Sequence, residues 1–160
     1  MEPRLNYPTL ASEPLKLMYA MEKYLGGCGL ERTLLELVKI RASQINGCAY
    51  CIDMHTQDAR AEGETERRIY ALNAWRETPF YTDRERAALA WTEAVTRISD
   101  GGVPDALYEE ARRHFSEMEL VDLNWAVAAI NAWNRVAISF RSVPGTYKPQ
   151  QPSRAAGAAH

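Results

Sequence analysis

Residues 34–55 read LLELVKIRASQINGCAYCIDMH. Leu34, Leu35, Leu37, Val38 and Ile40 fall on near-consecutive positions and leave no polar face. That pattern predicts a helix from about Leu30 to Ile45, buried on most sides. Asn46-Gly47 is its stop signal. A following helix carries Cys48 to Ala61 and ends at Gly63. With Cys48 placed at 0° and about 100° per residue, Cys51 falls near 300° and His55 near 340°, beside Ile52 and Ala59. Asp53, Gln57 and Arg60 lie opposite. The two thiols and the imidazole therefore share the core-facing side of one helix, an arrangement suited to protected thiol chemistry.

Outward from this stretch every periodic segment is helical, and strand alternation is absent. A first helix follows Pro14 and ends at Gly26-Gly27. A fourth covers Glu64 to Trp75. Thr82 with Glu85 is a capping box for a fifth, whose stripe is Ala88, Trp91, Thr92, Val95 and Ile98, closed by Gly101-Gly102. Pro104 suits the first turn of a sixth. Ser116 with Glu119 opens a seventh that runs to about Phe140. The expected architecture is all-α, a single domain of about seven helices over residues 1–145. Residues 146–160, rich in Pro, Gln, Ala and Gly, are expected to form a loose C-terminal tail.

At 160 residues and 46% apolar content the chain suffices for one well-buried core. A net charge of −2 gives no electrostatic footprint for nucleic acid or an anionic membrane. No stretch approaches the roughly 18 consecutive apolar residues of a membrane span. The opening Met1-Glu2-Pro3-Arg4-Leu5-Asn6-Tyr7 lacks the basic and apolar regions of a secretory leader. Three cysteines are too few for a disulfide scaffold, so a cytoplasmic setting is expected, where a CxxC is catalytic or metal-binding before it is structural.

Glu36 sits inside the apolar run, where a carboxylate must find a partner or have its pKa raised. Helical spacing offers Lys39 and Arg32 as partners; the alternative is proton transfer. Glu36, Cys48, Cys51 and His55 together read E-x11-C-x2-C-x3-H. That motif, with the lead-in Leu37–Gly47 and the closing Asn131-Ala132-Trp133-Asn134-Arg135, resembles the alkylhydroperoxidase D-like branch of the carboxymuconolactone decarboxylase superfamily over about residues 15–145. The resemblance implies a helical homo-oligomer, trimeric or hexameric, with no bound cofactor. It implies a dithiol that reduces peroxides and is re-reduced by an external thiol donor or a lipoyl-bearing protein. Residue by residue, it carries the redox pair to Cys48 and Cys51 and the proton relay to Glu36 and His55. It favours Cys51, one turn from His55, as the peroxidatic residue, whereas the helix N-terminus favours a thiolate on Cys48. Tyr50 stands where some members have a histidine, which implies a shorter relay here.

Peroxide reduction requires these residue types: thiolate attack leaves a sulfenic acid, a second thiol condenses with it, and the departing alkoxide takes a proton. Zinc is the chemical rival, since Cys48, Cys51, His55 and Glu36 are all acceptable ligands, but a second CxxC or HxxxH is missing. A lactone decarboxylase and a redox sensor are the other readings; the CxxC argues against the first. Cys28 reads as a packed residue and His114 as a surface or interface one. Trp75, Trp91, Trp125 and Trp133 read as core or subunit contacts. Asn131, Asn134 and Arg135 interrupt an apolar helix, either to order the interior or to reach Glu36.

Overall fold

In the computed structural model, which describes residues 1–149, α-helices follow one another with no strand among the described residues. In chain order they are α1 (Tyr7–Leu10), α2 (Ser12–Leu25), α3 (Arg32–Asn46), α4 (Ala49–Ala61), α5 (Glu66–Ala71), α6 (Asp83–Thr96), α7 (Asp105–His114) and α8 (Glu117–Phe140). The helix beyond the seven expected is α1, a single turn whose N-terminus is capped by the Asn6 side chain. Most of the expected tail, residues 150–160, lies outside the described residues.

Helix α3, buried on most sides, is the centre of the molecule and packs against α4, α6 and α8, with Arg32, Glu36, Lys39, Ser43 and Asn46 forming a polar stripe along one side. On one side Leu34, Leu35 and Val38 join Ala88, Trp91, Phe115, Leu123 and Val127. On the other, Leu37 and Ile40 join Ala59, Ile69, Leu72, Trp75 and Leu89. Each such aliphatic side chain taken fully out of water is worth about 1.5–3 kcal/mol, and burial on two sides stabilises α3 in this position. A smaller cluster of Ala42, Cys48, Cys51, Ile130 and Ala137 closes the end of α3 against α8.

Three local expectations change. The fourth helix is divided: α5 passes into a 3-10 segment, Leu72–Glu77, with Ala74 off helical geometry at φ −114° and ψ 30°. The fifth helix stops at Thr96, so Ile98 leaves the buried stripe and is 60% exposed. Pro104 is the N-cap of α7, not a residue of its first turn. Both capping boxes form, Thr82 with Glu85 and Ser116 with Glu119. Trp75 and Trp91 are core, whereas Trp125 is half exposed. Among the described residues no helix is long and apolar enough to cross a membrane.

Candidate active site

The α3–α4 junction builds the site. Gly47 takes the left-handed conformation, φ 71° and ψ 31°, which ends α3 and lets the Cys48 N–H return to the Ser43 carbonyl at 2.9 Å. Cys48 thereby becomes the N-cap of α4, and its sulfur accepts the Cys51 backbone N–H at 3.4 Å. The Cys48 and Cys51 Sγ atoms are 2.6 Å apart and both side chains are buried. One turn further along α4, His55 Nδ1 is 2.8 Å from Glu36 Oε2 of α3. The four expected residues thus form two pairs, sulfur with sulfur and imidazole with carboxylate. Among the described residues no hydrogen bond joins one pair to the other.

The sulfurs are not equivalent. A hydrogen bond from the Cys51 thiol, helped by the Cys51 N–H, Asn134 and the Tyr50 N–H, outweighs burial and brings the Cys48 pKa down to about 7. Cys51, as the donor in that bond and buried beside the resulting charge, is pushed well above the ordinary thiol range. The N-cap position of Cys48, with the Cys51 N–H directed at its sulfur and the helix dipole behind it, favours the thiolate there. Cys48 also lines a cavity of about 500 Å³ together with Tyr50, Ala137, Ile138, Arg141 and Val143, a lining that does not include Cys51. Both facts favour Cys48, the sulfur at the helix N-terminus, while Cys51 keeps the position one turn from His55.

The Glu36 carboxylate is nearly enclosed. Burial alone would raise its pKa, but the hydrogen bond and charge of His55 and the ammonium of Lys39, 3.6 Å away, together hold it below the ordinary range. Lys39 is shared with Glu22 at 3.0 Å, and Glu22 in turn accepts the Trp133 indole N–H at 3.0 Å. Of the two partners that helical spacing offered Glu36, Lys39 is adopted. Arg32 points away and pairs with Glu62 at 3.0 Å. The polar residues of α8 do not reach Glu36. Instead Asn46 donates to Asn131 at 2.9 Å and to Asn134 at 2.8 Å, and Asn134 donates to Ser43 Oγ at 3.0 Å. Arg135 turns back to the Asn131 carbonyl and amide oxygens.

Asn134 was visible in the sequence only as a polar interruption, yet it helps lower the Cys48 pKa and works against the rise at Cys51. Asp58 and Tyr147 were not singled out at all. Asp58, one turn beyond His55 on α4, accepts the Tyr147 hydroxyl at 2.7 Å. Glu36, His55 and Asp58 offer donor atoms all within 4.8 Å of one another. This is not the set of two sulfurs, imidazole and carboxylate considered for zinc. The Lys39 ammonium, 3.6 Å from Glu36, offsets one of the two carboxylate charges of this cluster.

Comparison with known proteins shows the family and the fold. The carboxymuconolactone decarboxylase family matches residues 14–94, which include α3, both cysteines and His55. The uncharacterized protein YdfG of Bacillus subtilis (strain 168) is 50% identical over 139 residues, 87% of this chain and 95% of YdfG. A crystal structure of a protein of unknown function from Agrobacterium tumefaciens, linked by its name to AhpD antioxidant defence, superposes with a TM-score of 0.88 at 44% identity, covering 91% of this chain and all of that one. Alkyl hydroperoxide reductase AhpD of Methylobacterium sp. (strain 4-46) is 39% identical over 64 residues, 40% of this chain and 35% of that protein. The chain belongs to the carboxymuconolactone decarboxylase family and has the AhpD-like helical fold.

Proposed function

We propose that the protein is a thiol-dependent peroxidase that reduces hydroperoxides through a Cys48–Cys51 dithiol–disulfide cycle. The observation that carries this reading is the placement of Cys48. Its sulfur caps α4, touches the Cys51 sulfur at 2.6 Å and borders a cavity large enough for an alkyl group. The Cys48 thiolate attacks the outer peroxide oxygen, forming an S–O bond as the O–O bond breaks, and the departing alkoxide takes a proton. Cys51 then condenses with the sulfenic acid, releasing water and closing the disulfide. An external dithiol, a lipoyl group or a reducing protein restores both thiols. No bound cofactor is invoked.

In this scheme Glu36 stays anionic and orients His55, which holds the proton for the leaving group. The apolar walls of the cavity, Ala137, Ile138 and Val143, favour alkyl hydroperoxides over hydrogen peroxide. Exposed Met118, Val121 and Trp125 on one face of α8 support a homo-oligomeric working state, trimer or hexamer. The decisive test is steady consumption of cumene hydroperoxide with dihydrolipoamide, thioredoxin or glutathione as donor. Many turnovers per protein are expected with at least one of them. Oxidation that stops at one equivalent with every donor would overturn the enzyme and leave a redox sensor.

A further inference from the structure

The proton network does not end at Glu36 and His55. Asp58 lies on the same face of α4 as His55, and one of its carboxylate oxygens is within 4.8 Å of a Glu36 carboxylate oxygen and of a His55 ring nitrogen. The chain that follows α8 comes back over α4 and is tied to it twice. The Gly145 N–H donates to Asp53 at 2.8 Å, and the Tyr147 hydroxyl donates to Asp58 at 2.7 Å. Asp58 and Tyr147 are both half-buried, so this end of the network borders solvent while Glu36 and His55 lie behind it.

We propose that Asp58, acting through His55 and positioned by Tyr147, is the outer proton-holding group of the relay. The inference rests on the peroxidase reading for its role in turnover. When the thiol pair ionises, its proton passes by way of Cys51, one turn before His55 on α4, to the imidazole, and the charged ring is stabilised by carboxylates on two sides, Glu36 and Asp58. When the hydroperoxide O–O bond breaks, that proton goes to the alkoxide. The two carboxylates are differentiated by their surroundings. Glu36 has Lys39 and His55 beside it and is held low. Burial pushes Asp58 up, and the Glu36 charge adds to this against the Tyr147 hydrogen bond and the charges of His55 and Lys39. A pair of carboxylates driven apart in this way divides the work, one a fixed charge and one able to gain and lose a proton. The groups that face Asp58 are Glu36 and Lys39 from α3, His55 from its own helix and Tyr147 from the C-terminal segment.

The test uses Asp58→Asn, which still accepts the Tyr147 hydroxyl but carries neither charge nor proton, together with Asp58→Glu and Tyr147→Phe. The first readout is the pH profile of iodoacetamide alkylation of the reduced full-length protein, which needs no peroxidase activity. If Asp58 stabilises the charged imidazole, its loss moves the thiolate midpoint upward by about one pH unit, with Tyr147→Phe shifting less. A simple field effect would do the opposite, because deleting a negative charge near a thiolate lowers its pKa. An unchanged or lowered midpoint in Asp58→Asn overturns the proposal. The second readout is kcat/KM for cumene hydroperoxide, expected to fall roughly 10²-fold in Asp58→Asn and to recover in Asp58→Glu. Equal losses in Asn and Glu variants, with an unshifted pH profile, would show a merely structural residue. A wild-type protein that turns over no hydroperoxide sinks the peroxidase reading, while the alkylation profile still decides for or against Asp58.

Discussion

Replacing Glu36 by Gln separates the two things the carboxylate does in this fold. Its side chain is 13% exposed, meets His55 at 2.8 Å and stands 3.6 Å from the Lys39 ammonium. A hydrogen bond to a charged group is worth about 1.5–3 kcal/mol. Gln still offers an oxygen to His55, and Lys39 keeps Glu22 at 3.0 Å, so neither partner is left bare. The net loss should be about 1–2 kcal/mol, or roughly 2–8 °C in melting temperature for a chain of this size. The sign of the pH dependence follows from the lowered pKa. Stability supplied by Glu36 is present above the pKa of an unfolded-chain carboxylate and is lost as pH falls through the lower folded-state value. The gap between wild type and Glu36→Gln should therefore be full at pH 7 and close in acid.

Turnover should respond far more than stability, because a neutral amide can still accept the His55 N–H but cannot stabilise the ring once it is charged; about 10²–10⁴-fold is the usual worth of acid–base help. The assay is kcat/KM for cumene hydroperoxide with a saturating dithiol, beside melting curves at pH 7 and pH 4. Near-normal turnover in a well-folded variant would remove Glu36 from the proton path. It would leave the carboxylate as a structural partner of Lys39 alone.

Further expectations concern the thiols and their support. Cys51→Ser should accumulate a sulfenic acid on Cys48 that dimedone traps, and Cys48→Ser should not; the reverse pattern, read by mass spectrometry, would return the attack to Cys51. Alkylation of reduced wild-type protein should titrate with a midpoint of about 7, the lowered value at Cys48, and a midpoint at the ordinary thiol value would refute the asymmetry. Asn134→Ala leaves Asn46 and Ser43 each short of a buried partner, costing about 1–3 kcal/mol by denaturant titration, and should raise the thiolate midpoint. Gly47→Ala meets no atom within 4 Å, so its cost is the left-handed backbone alone, about 1 kcal/mol. A much larger loss in that variant would mean the turn is held by contacts not seen here.

How far the sequence could be read depended on how far apart the partners were. The apolar run in α3, the Asn46-Gly47 stop and the two capping boxes are local signals, and each forms as expected. Helical periodicity also put Cys48, Cys51 and His55 on one buried side. It could not show that these three separate into a sulfur pair and an imidazole–carboxylate pair, because that depends on where α3 lies against α4. The partners of Glu36 were ambiguous for the same reason: Lys39 is a helical neighbour, but His55 comes from the next helix. Asp58 and Tyr147, 89 positions apart, carry no mutual signal at all. Asn134 announced itself as polar in an apolar helix, yet its partner Asn46 lies 88 positions earlier.

That last pairing explains why a site of buried thiols is stable without being rigidly apolar. The Cys48 turn has only a glycine and a two-residue junction to fix its direction, and the small cluster around it contributes little area. Its geometry is set instead by side-chain amides. Asn46 from the last turn of α3 holds Asn131 and Asn134, Asn134 holds Ser43, and Asn131 holds Thr96 Oγ1 of α6 at 3.0 Å. Each bond contributes about 1 kcal/mol net, no more than a methylene or two of apolar burial would. The difference is direction: sliding α8 along α3 would break several of these bonds and bury their donors unpaired, at about 1–3 kcal/mol each. Apolar contacts would tolerate such a slip; the amides do not. The network therefore fixes the register of α8 against the α3–α4 junction, and with it the position of Asn134 beside the two sulfurs.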